Sequence, residues 1–226
     1  MRNRWIGYVF IGPWLVGFLG FTLFPFFASV FLSFTSYDIV SPPQWIGLAN
    51  YHELLANDAR FWISLKNTLV YAVVAVPLCL GVSFVLALLL EPERRSIGIF
   101  RTIIFLPSIM PVVATSVLFV WILNPQIGLM NGLLDLVGIR GPAWLQDPHW
   151  AMPSMILMSL WGIGGTIVIN IAGLKDIPLS LYEAAVIDGA GTLRRIWHIT
   201  LPMMTPVIFF NLVMGIIYAF QYFTQA

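Results

Sequence analysis

The chain of 226 residues is 59% hydrophobic and only 9% charged, with a mean hydropathy of +0.90, far more apolar than a soluble domain of this length, and this composition indicates a polytopic membrane protein. Its formal net charge of +1 leaves no basic footprint for nucleic acid and no basic tail for attachment to a membrane surface. Cys79, the only cysteine, lies in an apolar run, so no internal disulfide or thiolate metal site is available and the residue reads as packing filler.

A bilayer core about 30 Å thick needs about 20 apolar residues as helix. Five charge-free runs are long enough: Trp5 to Tyr37, Asn67 to Leu90, Thr102 to Leu134, Trp150 to Leu174 and Ile199 to Ala226. Within them helices are expected at about 7–34, 68–90, 102–123, 152–174 and 203–224, in one transmembrane domain covering 1–226. All must be helical, because unpaired backbone in hydrocarbon costs several kcal/mol per group. Arg2 and Arg4 ahead of the first run imitate a signal peptide, but the run is too long and has no small-residue cleavage site, so an uncleaved first helix is expected. The first outer loop, about 35–66, carries Trp45-Ile46-Gly47-Leu48-Ala49-Asn50-Tyr51, and the second, about 124–150, carries Trp144, Asp147 and Trp150. Their aromatics suit the interfacial belt, or a docking surface for an outside partner. Both loops look too short to fold alone. Pro25, Pro77, Pro107 and Pro111 should interrupt helical hydrogen bonds, and Gly162, Gly164 and Gly165 crowd the fourth span, which together predict a bundle that packs tightly and moves.

Orientation follows from the basic residues. With a cytoplasmic N-terminus, the inner segments hold eight (Arg2, Arg4, Arg94, Arg95, Arg101, Lys175, Arg194, Arg195) and the outer segments three (Arg60, Lys66, Arg140). No ionisable residue falls at mid-membrane, which argues against ion-coupled transporters and voltage sensors. Energy for uphill transport would then come from elsewhere. There is no phosphate-binding glycine loop, His-Glu-x-x-His, nucleophile elbow or Cys/His cluster, and His52 and Glu53 are neighbours that do not face one another on a helix. An enzyme is therefore not expected.

Ser180 through Pro202 is a polar insert between the last two runs. Ser180 and Glu183 fit a capping box, predicting a helix from about Leu181 to Asp188 that Gly189 or Gly191 ends in the left-handed conformation. Thr192 is expected to cap a second short helix, Leu193 to about Thr200, which Pro202 ends or hands to the fifth span. Ala184 and Ala185 leave one side of the first helix bare enough for another protein's groove.

Glu183-Ala184-Ala185, three residues, Gly189, nine residues, Ile199, one residue, Leu201-Pro202 resembles the EAA signature of binding-protein-dependent ABC importer permeases at every spacing. Pro25 with Leu32-Ser33-Phe34, the Trp45 to Tyr51 stretch, Asn67-Thr68, Phe100 through Pro107 and Gly128-Leu129-Met130-Asn131 are similar to the maltose-type carbohydrate permeases, so the resemblance runs the length of the chain. It implies an all-α membrane protein, a polytopic bundle of the type I importer permease kind, with five transmembrane helices present and a sixth missing at the C-terminus. A truncated chain or fragment is expected on that ground. It also implies that the loop at about 175–201 couples to a cytoplasmic ATPase through Glu183, Ala184, Ala185, Asp188 and Gly189. ATP and Mg would bind the partner ATPase, with no cofactor on this chain. A sugar path would draw on Ser159, Trp161, Gly162, Asn211, Tyr218, Gln221 and Tyr222, while Asn170 lies nearer the cytoplasmic end and suits helix packing. The implied partners are a second, related permease, two ATPase subunits, an extracytoplasmic sugar-binding protein, membrane lipid and the sugar, in a bacterial inner membrane. The alternative is a nucleotide-independent secondary transporter or facilitator. Nothing in the sequence identifies the sugar.

Overall fold

A computed structural model describes residues 4–92 and 95–221, which divide into two compact units, 1–65 and 66–226. The first unit opens with α1 (Arg4–Phe18), a π turn (Leu19–Leu23) and α2 (Phe24–Leu32), an apolar rod with no buried residue recorded along α2. An apolar helix exposed on every side is suited to lipid. In the π turn the N–H of Phe24 reaches back to Leu19 O, which widens the helix immediately ahead of Pro25. That spacing accommodates a residue with no donor and a ring that clashes with the carbonyl four residues earlier.

The chain then folds back on itself. Strands β1 (Thr35–Ser36) and β2 (Gln44–Trp45) pair antiparallel, Thr35 opposite Trp45, and α3 (Ala49–His52) follows. Asn50 Nδ2 donates to Ser33 O and Thr35 O, both at 2.9 Å, Tyr51 Oη and Ser33 Oγ lie 2.7 Å apart, and Phe34 stacks on Trp45 at 5.5 Å. The Trp45 to Tyr51 stretch is thus pinned to the end of the first span. Asp58 then accepts from the N–H of Arg60 at 2.9 Å, capping α4 (Ala59–Leu90), which begins well before the expected start at 68.

In the second unit α4 continues through Pro77 without interruption to Leu90. The third predicted span is not one helix. α5 (Arg95–Phe105) tightens into a 3₁₀ turn (Leu106–Ile109), Met110 and Pro111 are extended, and α6 (Val112–Ile122) departs at 100°. Pro111 both lacks a donor and drives Met110 out of the helical region, so the chain turns there. The short helix α7 (Leu129–Asp135) leads to α8 (Pro148–Ser159), capped by Asp147. The fourth predicted span is also broken: after the 3₁₀ turn Leu160–Gly162, α9 (Gly164–Lys175) runs off at 52° to the segment before it. Gly164 is required at that break, since a Cβ would lie 2.8 Å from Ser108 Oγ and 3.0 Å from Phe105 Cα.

The chain ends in α10 (Leu179–Ile187), α11 (Thr192–Arg195), a second π turn (Ile196–Thr200) and α12 (Leu201–Phe220). Ala87, Leu90, Ile163, Ile167, Ile171 and Met204 form the heart of the larger core cluster, joining α4, α9 and α12. Among the described residues three helices are long and apolar enough to cross a membrane, or up to five if each bent pair is one span.

Candidate functional site

The site is built on α10. Pro178 occupies the N-cap with φ −57° and ψ 126°, so the helix begins at Leu179, and no side chain caps it. The capping box expected from Ser180 and Glu183 is therefore not formed, because Pro178 starts the helix early and carries Ser180 into its first turn. Among the described residues no hydrogen bond or ion pair engages the exposed Glu183 carboxylate. Gly189, at φ +73°, supplies the left-handed residue that ends α10. The N–H of Ala190 bonds to Ala185 O at 2.8 Å and that of Gly189 to Val186 O at 3.0 Å, the paired pattern of a Schellman stop.

The helix has two faces. Tyr182 and Ala185 turn inward, and Tyr182 Oη lies 2.9 Å from Thr200 Oγ1, a tie that sequence reasoning missed because nothing local marks two residues so far apart as partners. Glu183, Ala184, Val186, Asp188 and Gly189 are exposed, as is Ile187 at 85%. Ala184 is thus open to an approaching surface, whereas Ala185 is half-buried.

Beyond the turn the expectation fails in a second way. Gly191, not Thr192, is the N-cap, Thr192 is already helical, and no side chain caps the helix. α11, the π turn and α12 are one helix of 29 residues, Thr192–Phe220. As at Pro25, the π turn lies just ahead of a proline, with the N–H of Leu201 reaching Ile196 O, so Pro202 sits inside a continuous helix instead of ending one. Behind α10 lies a cleft of about 600 Å³, bounded by Leu88 and Glu91 of the α4 end, Lys175 of the α9 end, Tyr182 and Arg195. Nearby, Arg101 Nε donates to Leu90 O at 2.7 Å and Nη2 to Glu91 O at 2.8 Å, closing the end of α4 with a cation as its dipole favours.

The residues expected along a sugar path fall in three places. Ser159, Trp161 and Gly162 cluster at the α8–α9 break: Ser159 Oγ donates to Ile156 O at 2.6 Å, Trp161 meets Phe119 edge-on at 5.6 Å and is 38% exposed, and Gly162 is open. Tyr218, 63% exposed, and Gln221 sit at the far end of α12, and among the described residues no hydrogen bond or ring contact joins them to the first group. Tyr222 lies outside the described residues. Asn211 is buried, and its Nδ2 donates to Asn170 Oδ1 at 2.9 Å.

Residues 78–226 match the family described as "Binding-protein-dependent transport system inner membrane component". The chain is 46% identical over its whole length to the probable ABC transporter permease protein YesP of Bacillus subtilis (strain 168), covering 73% of it. It is 35% identical to the lactose transport system permease protein LacF of Rhizobium radiobacter, across 97% of this chain and 74% of that one. Its fold superposes with a TM-score of 0.85 and 26% identity on a chain of a bacterial ABC transporter involved in importing the acidic polysaccharide alginate, covering 98% of this chain and 75% of that one. A second structure, of the bacterial alginate ABC transporter in complex with an alginate pentasaccharide-bound periplasmic protein, matches with a TM-score of 0.83 and 26% identity, covering 95% and 72% respectively.

Proposed function

The chain belongs to the family of binding-protein-dependent transport system inner membrane components, and from that premise we propose that it is the permease subunit of an ABC importer that passes a sugar handed over by an external binding protein. The observation that carries the mechanism is α10 itself. Its outer face is exposed, its glutamate has no bond to another side chain among the described residues, its inner face is tied to Thr200, and one glycine turn joins it to a helix long enough to cross the membrane. A displacement of α10 thus reaches the bundle with little slack.

In this reading Glu183, Ala184, Ala185, Asp188 and Gly189 meet a cleft on one of two cytoplasmic ATPase subunits, which hold ATP and Mg. The half-buried Ala185 keeps α10 close to the body while Ala184 and Glu183 contact the partner. The cleft behind α10 gives it room to tilt. A second permease completes the path, and the eight-to-three division of basic residues supports a cytoplasmic N-terminus and a cytoplasmic α10 in a bacterial inner membrane. The sugar path includes Trp161 and Gly162 at the α8–α9 break, where an exposed indole offers a flat face and an open glycine offers backbone, with Ser159, Tyr218, Gln221 and Tyr222 as further polar groups. Asn211 stands behind this path with its amide engaged.

Glu183→Lys reverses the charge on the docking face without touching a buried contact. In proteoliposomes holding the assembled importer it is expected to lower binding-protein-stimulated ATP hydrolysis about tenfold or more, as misplaced like charge does at interfaces. Unchanged stimulation rejects the docking role. Uptake that survives ATP depletion would instead favour the nucleotide-independent transporter.

A further inference from the structure

Three helices of the second unit meet at one amide. Asn170 of α9 donates through Nδ2 to Ser83 Oγ of α4 at 3.2 Å and accepts at Oδ1 from Asn211 Nδ2 of α12 at 2.9 Å. Ser83 in turn donates to Leu80 O at 3.0 Å. The three side chains are 1%, 0% and 6% exposed for Asn170, Ser83 and Asn211, and the buried neighbours of Asn170 on successive turns of α9, Ile167, Ile171 and Leu174, are apolar. An amide released there would find no water to replace its partners. Sliding of α9 along α4 breaks the bond to Ser83, sliding along α12 breaks the bond to Asn211, and turning of α9 about its axis breaks both.

The position of this junction matters as much as its chemistry. It lies on the α10 side of the 52° break, and only Asp176, Ile177 and Pro178 separate α9 from α10. Those residues are not slack: the N–H of Asp176 bonds to Ala172 O at 3.2 Å, that of Ile177 bonds to Leu174 O at 3.3 Å, and the Ile177 side chain is buried. The path from Asn170 through α10, the Gly189 turn and α12 returns to Asn211, which closes on Asn170. The chain thereby forms a ring fastened by one hydrogen bond and braced midway by Tyr182 and Thr200.

We propose that Asn170 is a positioning residue for transport: its amide makes the Ser83 region of α4, α9 and α12 move as one body when α10 is displaced, and the chain yields at the breaks beyond. The proposal rests on the importer reading of α10. Hydrogen bonds between membrane helices add only modestly to association, so the larger effect of losing this one falls on register and coupling.

The test uses the assembled transporter in a Cys79→Ala background, with spin labels at the exposed Val85, Ala172 and Phe209. Pulsed EPR reads the α4–α9 and α9–α12 distances with and without ATP, and a parallel assay reads sugar moved per ATP, using a sugar chosen by thermal-shift screening of the binding protein. In the parent these distances should change by no more than about 2 Å, the scale of small helix shifts. Asn170→Leu should broaden both distributions and lower sugar moved per ATP about tenfold, a typical coupling factor, while stimulated ATP hydrolysis persists. Adding Asn211→Leu should do little further harm, since the two residues act through one bond. Sharp, unchanged distributions in Asn170→Leu, or loss of uptake and hydrolysis in strict proportion to assembled complex, overturn the proposal. Should Asn170→Leu fail to assemble, Ser83→Ala carries the same expectation for the α4–α9 distance. If uptake proves indifferent to ATP, the importer reading fails, while the EPR distributions still decide whether Asn170 holds the three helices together.

Discussion

Asn131 uses its whole side chain within its own loop. Its Nδ2 donates to Pro125 O at 3.1 Å and Pro142 O at 3.3 Å, and its Oδ1 accepts from Trp144 Nε1 at 2.6 Å. Trp144 then meets Trp150 edge-on at 5.2 Å, and Ser154 Oγ donates to the backbone oxygens of both tryptophans. The buried amide thus organises the connection between α6 and α8. Asn131→Leu would leave an indole N–H and two carbonyls without that partner, and should destabilise this region by about 3 kcal/mol, read as a lowered unfolding temperature with red-shifted tryptophan emission. An unshifted emission and unfolding temperature would contradict the assignment. Sequence reading reached Asn131 only through a resemblance and gave the tryptophans to an interfacial belt or to a docking surface for an outside partner. Hydrogen bonds between distant residues leave no periodic trace, so the knot was invisible, as were Tyr182 with Thr200 and the three bonds of Arg101 to the end of α4. The stop of α10 was legible as Gly189 or Gly191, because a left-handed residue after a helix selects for glycine locally, and Gly189 takes that conformation.

At the scale of elements, each apolar run overlaps a long helical stretch among the described residues, since lipid imposes a length and a composition that a sequence must display, but the ends were not legible: α4 starts at Ala59 and the last helix at Thr192. Straightness was another matter. Pro107 and Pro111 announced an interruption, but the 100° between the flanking segments depends on what packs around them, and three glycines could not by themselves give the 52° of the fourth span. Pro202 was legible only as a choice between a helix stop and a hand-over to the fifth span, and the structure takes the second course, because a π turn can absorb a proline that a regular α-helix would reject. Gly164 tests the packing at the broken fourth span. Gly164→Leu forces a side chain into the space held by Ser108 Oγ and the Phe105 backbone, and overpacking of this kind costs about 1–3 kcal/mol. The expected outcome is a lowered unfolding temperature of the assembled transporter with faster hydrogen exchange in α5 and α9. Exchange confined to other segments would show that this approach is not what holds them.

For the whole molecule the question is which way it sits. The count of basic residues makes a prediction for every loop at once, and it is checked by single cysteines at exposed sites. In inverted vesicles, a membrane-impermeant thiol reagent should label Arg194→Cys and spare Arg140→Cys, and in right-side-out vesicles the order should reverse. Identical labelling from one side would overturn the orientation and, with it, the cytoplasmic place of α10. The unbroken helix from Thr192 to Phe220 gives that orientation a mechanical meaning. At 1.5 Å per residue its 29 residues extend about 44 Å, some 14 Å more than the hydrocarbon core requires, so in the proposed reading the coupling segment is partly the protruding stub of the span itself. In the proposed orientation a stub of this kind acts as a crank handle: rocking the helix by about 10° about its outer tip would carry the opposite end through about 8 Å, so a small tilt of the span and a large excursion of its stub are one motion.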